Sequence, residues 1–172
     1  MLISVGLICP PTGDAADKFT VFVTLAPQKY FVEQIGKNRV EVHVMVPPGA
    51  DPHTYEPKPR QMMALSKAKL YFAVGVEFEE AKLEKILSAH PKLKVIRTDE
   101  GIAKKPMITS GLHADAQGDL HGEGEGHAVD KKENDLHDHD GRDPHIWLSP
   151  PLVKIQARTI LNALQEIDPV HR

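Results

Sequence analysis

Short, almost unbroken apolar runs alternating with helical stretches constrain this chain more than any other feature. The run FTVFVTL at 19–25 is long enough for one strand and too short for a buried helix. Pro27 then fits the first turn of a helix, and Gly36 fits that helix's end. EVHVMVP (41–47) reads as a second strand with Val42, Val44 and Val46 on one face, stopping where Pro47-Pro48-Gly49 forbids further pairing. A helix over about 59–68 leads into KLYFAVG (69–75), a third strand closed by Gly75. A helix over about 79–89 and the run LKVIRT (93–98) complete the series. Strands that are apolar nearly throughout, joined by helices, predict an α/β fold. The expected sheet is parallel and mostly four-stranded, with helices on both faces.

After Thr98 the pattern stops. Residues 101–142 are polar and punctuated by glycine, and HADAQGDLHGEGEGHAVDKKENDLHDHDGRD (113–143) carries five His and ten Asp or Glu. A segment with so little to bury cannot offset its ordering entropy, which predicts a long mobile loop. Helical order returns at Pro150, where Val153, Ala157, Ile160, Leu164 and Ile167 form one apolar stripe. The first sixteen residues, MLISVGLICPPTGDAA, run from an apolar stretch through Pro10-Pro11 to small residues. That is the order of a secretory signal, and it predicts export, although the usual basic start is missing. A buried N-terminal strand is the alternative. The only cysteine, Cys9, falls in this segment, so the rest of the chain has no thiol to pair. The expected division is a signal remnant (1–16), an α/β lobe (17–100), the His/Asp-rich loop (101–142), a short motif (143–149) and a helix (150–172).

With 172 residues, 41% of them apolar, there is material for one core. The net charge of −3 and the lack of a long basic run argue against nucleic acid or an anionic membrane surface as partner. Histidine is the outlier, with ten copies. Two of them share a context: DPHTYEP (51–57) places His53 just after the second strand, and DPHIWLSP (143–150) places His145 where the loop rejoins the helix. In parallel sheets ligands bind beyond the carboxyl ends of strands, and the flanking prolines stiffen the backbone that presents each ring. A neutral imidazole leaves one ring nitrogen for a metal. Asp51 and Asp143 could accept the other ring N–H and so orient the ligand. Two surface histidines beside prolines remain the plain alternative. His43 sits in a strand, His90 follows a helix end, and both read as structural; His171 is uninformative. His113, His121, His127, His137 and His139 form a tract that suits zinc-like ions, as auxiliary ligands or as a weak collector beside a tighter site. Glu56 is the one local base near His53 and, like the tract histidines, a candidate auxiliary metal ligand. There is no H-E-x-x-H, phosphate loop, cysteine pair or G-x-S-x-G, so no enzyme activity is expected.

From Phe19 onward the chain closely resembles the metal-binding subunits of ABC-type importers, in the zinc/manganese group that also includes adhesin-like lipoproteins. The motifs carrying the resemblance are PPGADPHTYEPKPRQMMALSKAKLYFAVGVEFE (47–79) and DPHIWLSPP (143–151), with a His/Asp-rich loop between them as in the zinc-transporting branch. The resemblance implies a two-lobed protein that holds metal between lobes linked by one long helix. It implies that His53 and His145 are the two metal ligands of the N-terminal lobe, and that the helix from Pro150 begins the linking helix. A third His and a carboxylate are expected in a C-terminal lobe that would follow residue 172. The implied function is capture of Zn²⁺, with Mn²⁺ possible, in the periplasm and delivery to an ABC-type membrane permease. A monomer is expected. A manganese-binding subunit or adhesin of the same fold is the alternative, and a metal-dependent hydrolase is the more distant one.

Overall fold

Four strands form one fully parallel sheet in the computed structural model, in the order β2-β1-β3-β4. The structure describes residues 18–107 and 142–171. The strands are β1 (Phe19–Leu25), β2 (Val40–Val46), β3 (Leu70–Ala73) and β4 (Lys94–Arg97), and the helices are α1 (Ala26–Gly36), α2 (Pro59–Leu65), α3 (Glu77–Ala89) and α4 (Pro150–Ile167). The predicted class and element order therefore hold. The chain pairs β2 on one side of β1, then crosses to place β3 on the other, so the connection reverses between β1 and β3.

Side-chain alternation along each strand builds a core on each face. Val21, Val23, Val40, Val42, Leu70 and Phe72 pack with Val32 of α1 and Ile160, Ala163 and Leu164 of α4. Phe22, Met45, Tyr71 and Ala73 pack with Leu65 of α2 and with Phe78 and Ile86 of α3. The expected face of β2 is broken at its end, because Val46 joins Met45 in the second layer while Val42 and Val44 stay in the first. The predicted stripe of α4 is also shifted. Ile160 and Leu164 are buried, but so are Ala163 and Gln156, and both polar atoms of the Gln156 amide lie without a partner among the described residues.

Residues 103–144 form a second compact unit, described at its two ends. There Pro106 and Arg142 make an antiparallel bridge, and the Asp143 N–H donates to the Lys105 carbonyl at 2.7 Å. The N-terminal signal expectation and the loop histidines lie outside the described residues.

Buried polar groups tie the carboxyl ends of the strands together. Glu79, 5% exposed, accepts the Val74 N–H on Oε1 at 2.8 Å and the Gly75 N–H on Oε2 at 2.7 Å. The Thr24 hydroxyl of β1 donates to the same Oε1 at 2.5 Å, and the Tyr71 hydroxyl lies 3.0 Å from Thr24. These bonds explain why β3 stops at Ala73 and why α3 starts two residues earlier than predicted: the turn's amides point at a carboxylate instead of continuing the ladder. Gly75 takes φ 75° in that turn, a conformation open to glycine at little cost. Burial holds the Glu79 carboxyl above the ordinary carboxylate range, with the Asp99 charge adding to it, against the pull of its three donors.

Glu79→Ala removes the carboxylate that accepts from the Val74 and Gly75 amides and the Thr24 hydroxyl, and should lower the unfolding free energy by about 3 kcal/mol in a urea titration. Folded Glu79 holds its proton more tightly than the unfolded chain does. Its contribution is therefore fully present below the unfolded value, near pH ~4.3, and is lost as pH rises through the folded value. The stability of the wild type relative to Glu79→Gln should thus decline as pH rises above that point; a constant or growing difference would contradict the raised value. Gln156→Met replaces an unpaired buried amide by an apolar chain of similar size, and should raise stability by about 1 kcal/mol in the same measurement.

Candidate metal centre

The first Asp-Pro-His loop follows β2 and is held at several points. Its Asp51 carboxylate accepts the His53 main-chain N–H at 3.0 Å and the Thr54 hydroxyl at 3.2 Å, while the Asp51 carbonyl accepts the Thr54 and Tyr55 amides. Further along, the Tyr55 hydroxyl donates to Gln61 Oε1 at 2.5 Å, and Gln61 Nε2 donates to the Met45 carbonyl at 2.8 Å. Gln61 also accepts the Lys58 N–H at 2.9 Å, closing the N-terminus of α2. One glutamine thus joins the loop, the helix and the end of β2. The Tyr55 ring packs against the core layer that holds Phe78, 6.3 Å away between ring centres.

His53 is more than half exposed, and its Nδ1 lies 3.0 Å from Glu77 Oε2, at the first residue of α3. This corrects the expectation for Asp51. That carboxylate turns back on its own loop, where it accepts from donors two and three residues away. Glu56, expected as a possible auxiliary ligand, is instead paired with Lys82 of α3. The Lys82 ammonium holds it below the usual carboxylate range.

His145 is exposed and opens a short 3-10 turn (Ile146–Leu148) leading into α4; its carbonyl accepts the Leu148 N–H at 3.1 Å. Its ring lies 5.1 Å from that of Trp147. Ile146, 3% exposed, is buried in the same layer as Phe22, Tyr71 and Phe78, and Trp147 packs on that layer too. Both Pro-His motifs therefore rest on one apolar layer, anchored by Tyr55 in one and by Ile146 and Trp147 in the other. His43 stacks on Phe22 at 5.2 Å and pairs with Glu41, as a structural strand residue would. His90 occupies the C-cap of α3. Among the described residues no three His, Cys, Asp or Glu side chains converge on a point that could hold a metal ion. The tract residues His113, His121, His127, His137 and His139 lie outside the described residues.

Sequence reasoning overlooked Glu77, Gln61 and Glu79. A signal existed for the last two: Gln61 precedes Leu65 by one helical turn, and Glu79 precedes Leu83 by one turn and Ile86 by two. Polar residues at the head of an apolar stripe have to find buried partners.

The solved structures that this chain resembles define the fold as one lobe of a two-lobed metal-binding protein. A zinc-bound ZnuA deletion mutant matches with a TM-score of 0.69 at 39% identity, over 91% of this chain and 49% of that one. The chain is 31% identical over 173 residues to the high-affinity zinc uptake system protein ZnuA of Yersinia pestis, covering 100% of this chain and 53% of that protein. To ZnuA of Bacillus subtilis it is 28% identical over 153 residues, covering 89% and 43% respectively. Residues 21–172 match the family model for the periplasmic zinc-uptake complex component A. The chain belongs to this family, and it spans about half the length of the relatives it matches.

Removing the Gln61 side chain should free the 51–58 loop from β2. Gln61→Ala is expected to lower stability by about 2 kcal/mol. Amide exchange should quicken over Thr54–Lys58, with β1 and β3 unaffected; uniform protection across the loop and sheet would contradict this role.

Proposed function

We propose that this chain is the zinc-capturing N-terminal lobe of a solute-binding protein that delivers Zn²⁺ to an ABC-type permease outside the cytoplasmic membrane. His53 and His145 supply imidazole ligands from two pre-ordered loops. The observation that carries this reading is the anchoring of both Pro-His motifs on one apolar layer, in a chain whose family is a zinc-uptake component. The donor chemistry fits the cargo. With Nδ1 of His53 engaged by Glu77, its Nε2 has no partner among the described residues and presents a lone pair of the kind zinc accepts. Two imidazoles are half of a four-donor shell, so water or donors beyond these two complete it. Imidazole donors favour zinc over manganese, which prefers harder oxygen ligands. Capture is coordination, with no bond in the cargo made or broken.

Calorimetric titration of the chain with zinc tests the reading. His53→Ala and His145→Ala should each weaken binding by at least about tenfold, and the double variant should bind no more weakly than loss of both ligands requires. Binding of the wild type should also weaken as pH falls through the range where imidazoles take up a proton, because only neutral rings coordinate. Stoichiometric binding that is unchanged in both single variants would overturn the assignment.

A further inference from the structure

Glu77 follows a turn whose backbone is tied down by a buried carboxylate. The two amides just before it, of Val74 and Gly75, are locked by Glu79, and the backbone then enters α3 at Glu77 itself. The 51–58 loop is held independently, through Asp51 and Gln61. Two separately fixed pieces of backbone therefore bring one carboxylate oxygen within 3.0 Å of one ring nitrogen. The loop's own acid, Asp51, accepts the His53 main-chain N–H on one oxygen and the Thr54 hydroxyl on the other.

We propose that Glu77 is the positioning residue for His53: its carboxylate accepts the Nδ1–H, fixes the ring's tautomer and orientation, and directs Nε2 outward as the metal donor. This deepens the reading of His53 as a zinc ligand and rests on it. A neutral imidazole carries one N–H, so the partner on Nδ1 decides which nitrogen keeps the lone pair. Carboxylates that orient ligating histidines typically govern about 10- to 100-fold in metal affinity. Because Glu77 reaches the ring from a helix and not from the loop, the ring's direction is set by α3. A movement of α3 relative to the loop would therefore be felt at the donor atom.

Ring ¹⁵N NMR of His53 in the full chain, at a pH well above imidazole protonation, reads the tautomer without metal, and titration with zinc alone reads the affinity. The wild type should show the Nδ1–H tautomer. Glu77→Ala should populate the Nε2–H form and weaken zinc binding about 10- to 100-fold. Glu77→Gln keeps an acceptor oxygen, so it should preserve the tautomer and most of the affinity. Unchanged tautomer or unchanged affinity in Glu77→Ala would overturn the proposal. Equal loss of affinity in the Gln and Ala variants would overturn it too, by assigning Glu77 to the metal itself. His53→Ala separates the two ideas: zinc binding indifferent to it defeats the ligand reading, whereas sensitivity to it with no effect of Glu77→Ala defeats only the positioning role.

Discussion

Three helices in this lobe solve the same problem in the same way: the third residue of each reaches back to tie its own N-terminus to the sheet. In α1 it is Gln28, which accepts the Leu25 N–H at 3.0 Å and donates to the Phe72 carbonyl of β3 at 3.1 Å. In α2 it is Gln61, joined to Lys58, Met45 and Tyr55. In α3 it is Glu79, joined to Val74, Gly75 and Thr24. A helix following a strand leaves amides without partners at the junction, and burying them unpaired would cost more than most packing gains return. Using a long side chain that also bonds a neighbouring strand pairs those groups and locks the turns to one another.

The candidate site inherits its order from these ties. Ligands gather beyond the carboxyl ends of a parallel sheet because the turns there are free to carry chemistry. Here Thr24, Tyr71 and Glu79 bond to one another beside β1 and β3, and His53 is carried by the loop that follows β2. The Pro-His loops are stiffened by proline, by the Asp51 turn and by apolar anchors in a shared layer. Stiff presentation lowers the entropy lost when a ligand shell forms. The charged groups around the site are committed locally as well: Glu56 to Lys82 and Glu77 to His53.

Legibility in the sequence followed the range of the interaction. Strand and helix order could be read because period and length are local properties, and β1 matches the run FTVFVTL end to end. Boundaries moved where a distant group intervened. α2 ends at Leu65, three residues early, in tight turns closed by Lys67 and Ala68 amides. β3 loses its last residues to Glu79. The acid chosen to support His53 was Asp51, a neighbour in sequence. The acid found there, Glu77, is 24 positions away and becomes a neighbour only through the β3–α3 connection.

By itself the sequence determined the residue types that can bind a metal, the two Pro-His motifs that present them, and the parallel α/β class. All of these follow from composition, spacing and hydrophobic period. Tertiary structure alone decided which carboxylate faces which ring, which polar side chains are buried, and which strand ends are tied together. Those outcomes depend on hydrogen bonds between segments that are far apart in the chain. No local pattern encodes such a bond until the sheet has brought its two partners to the same edge.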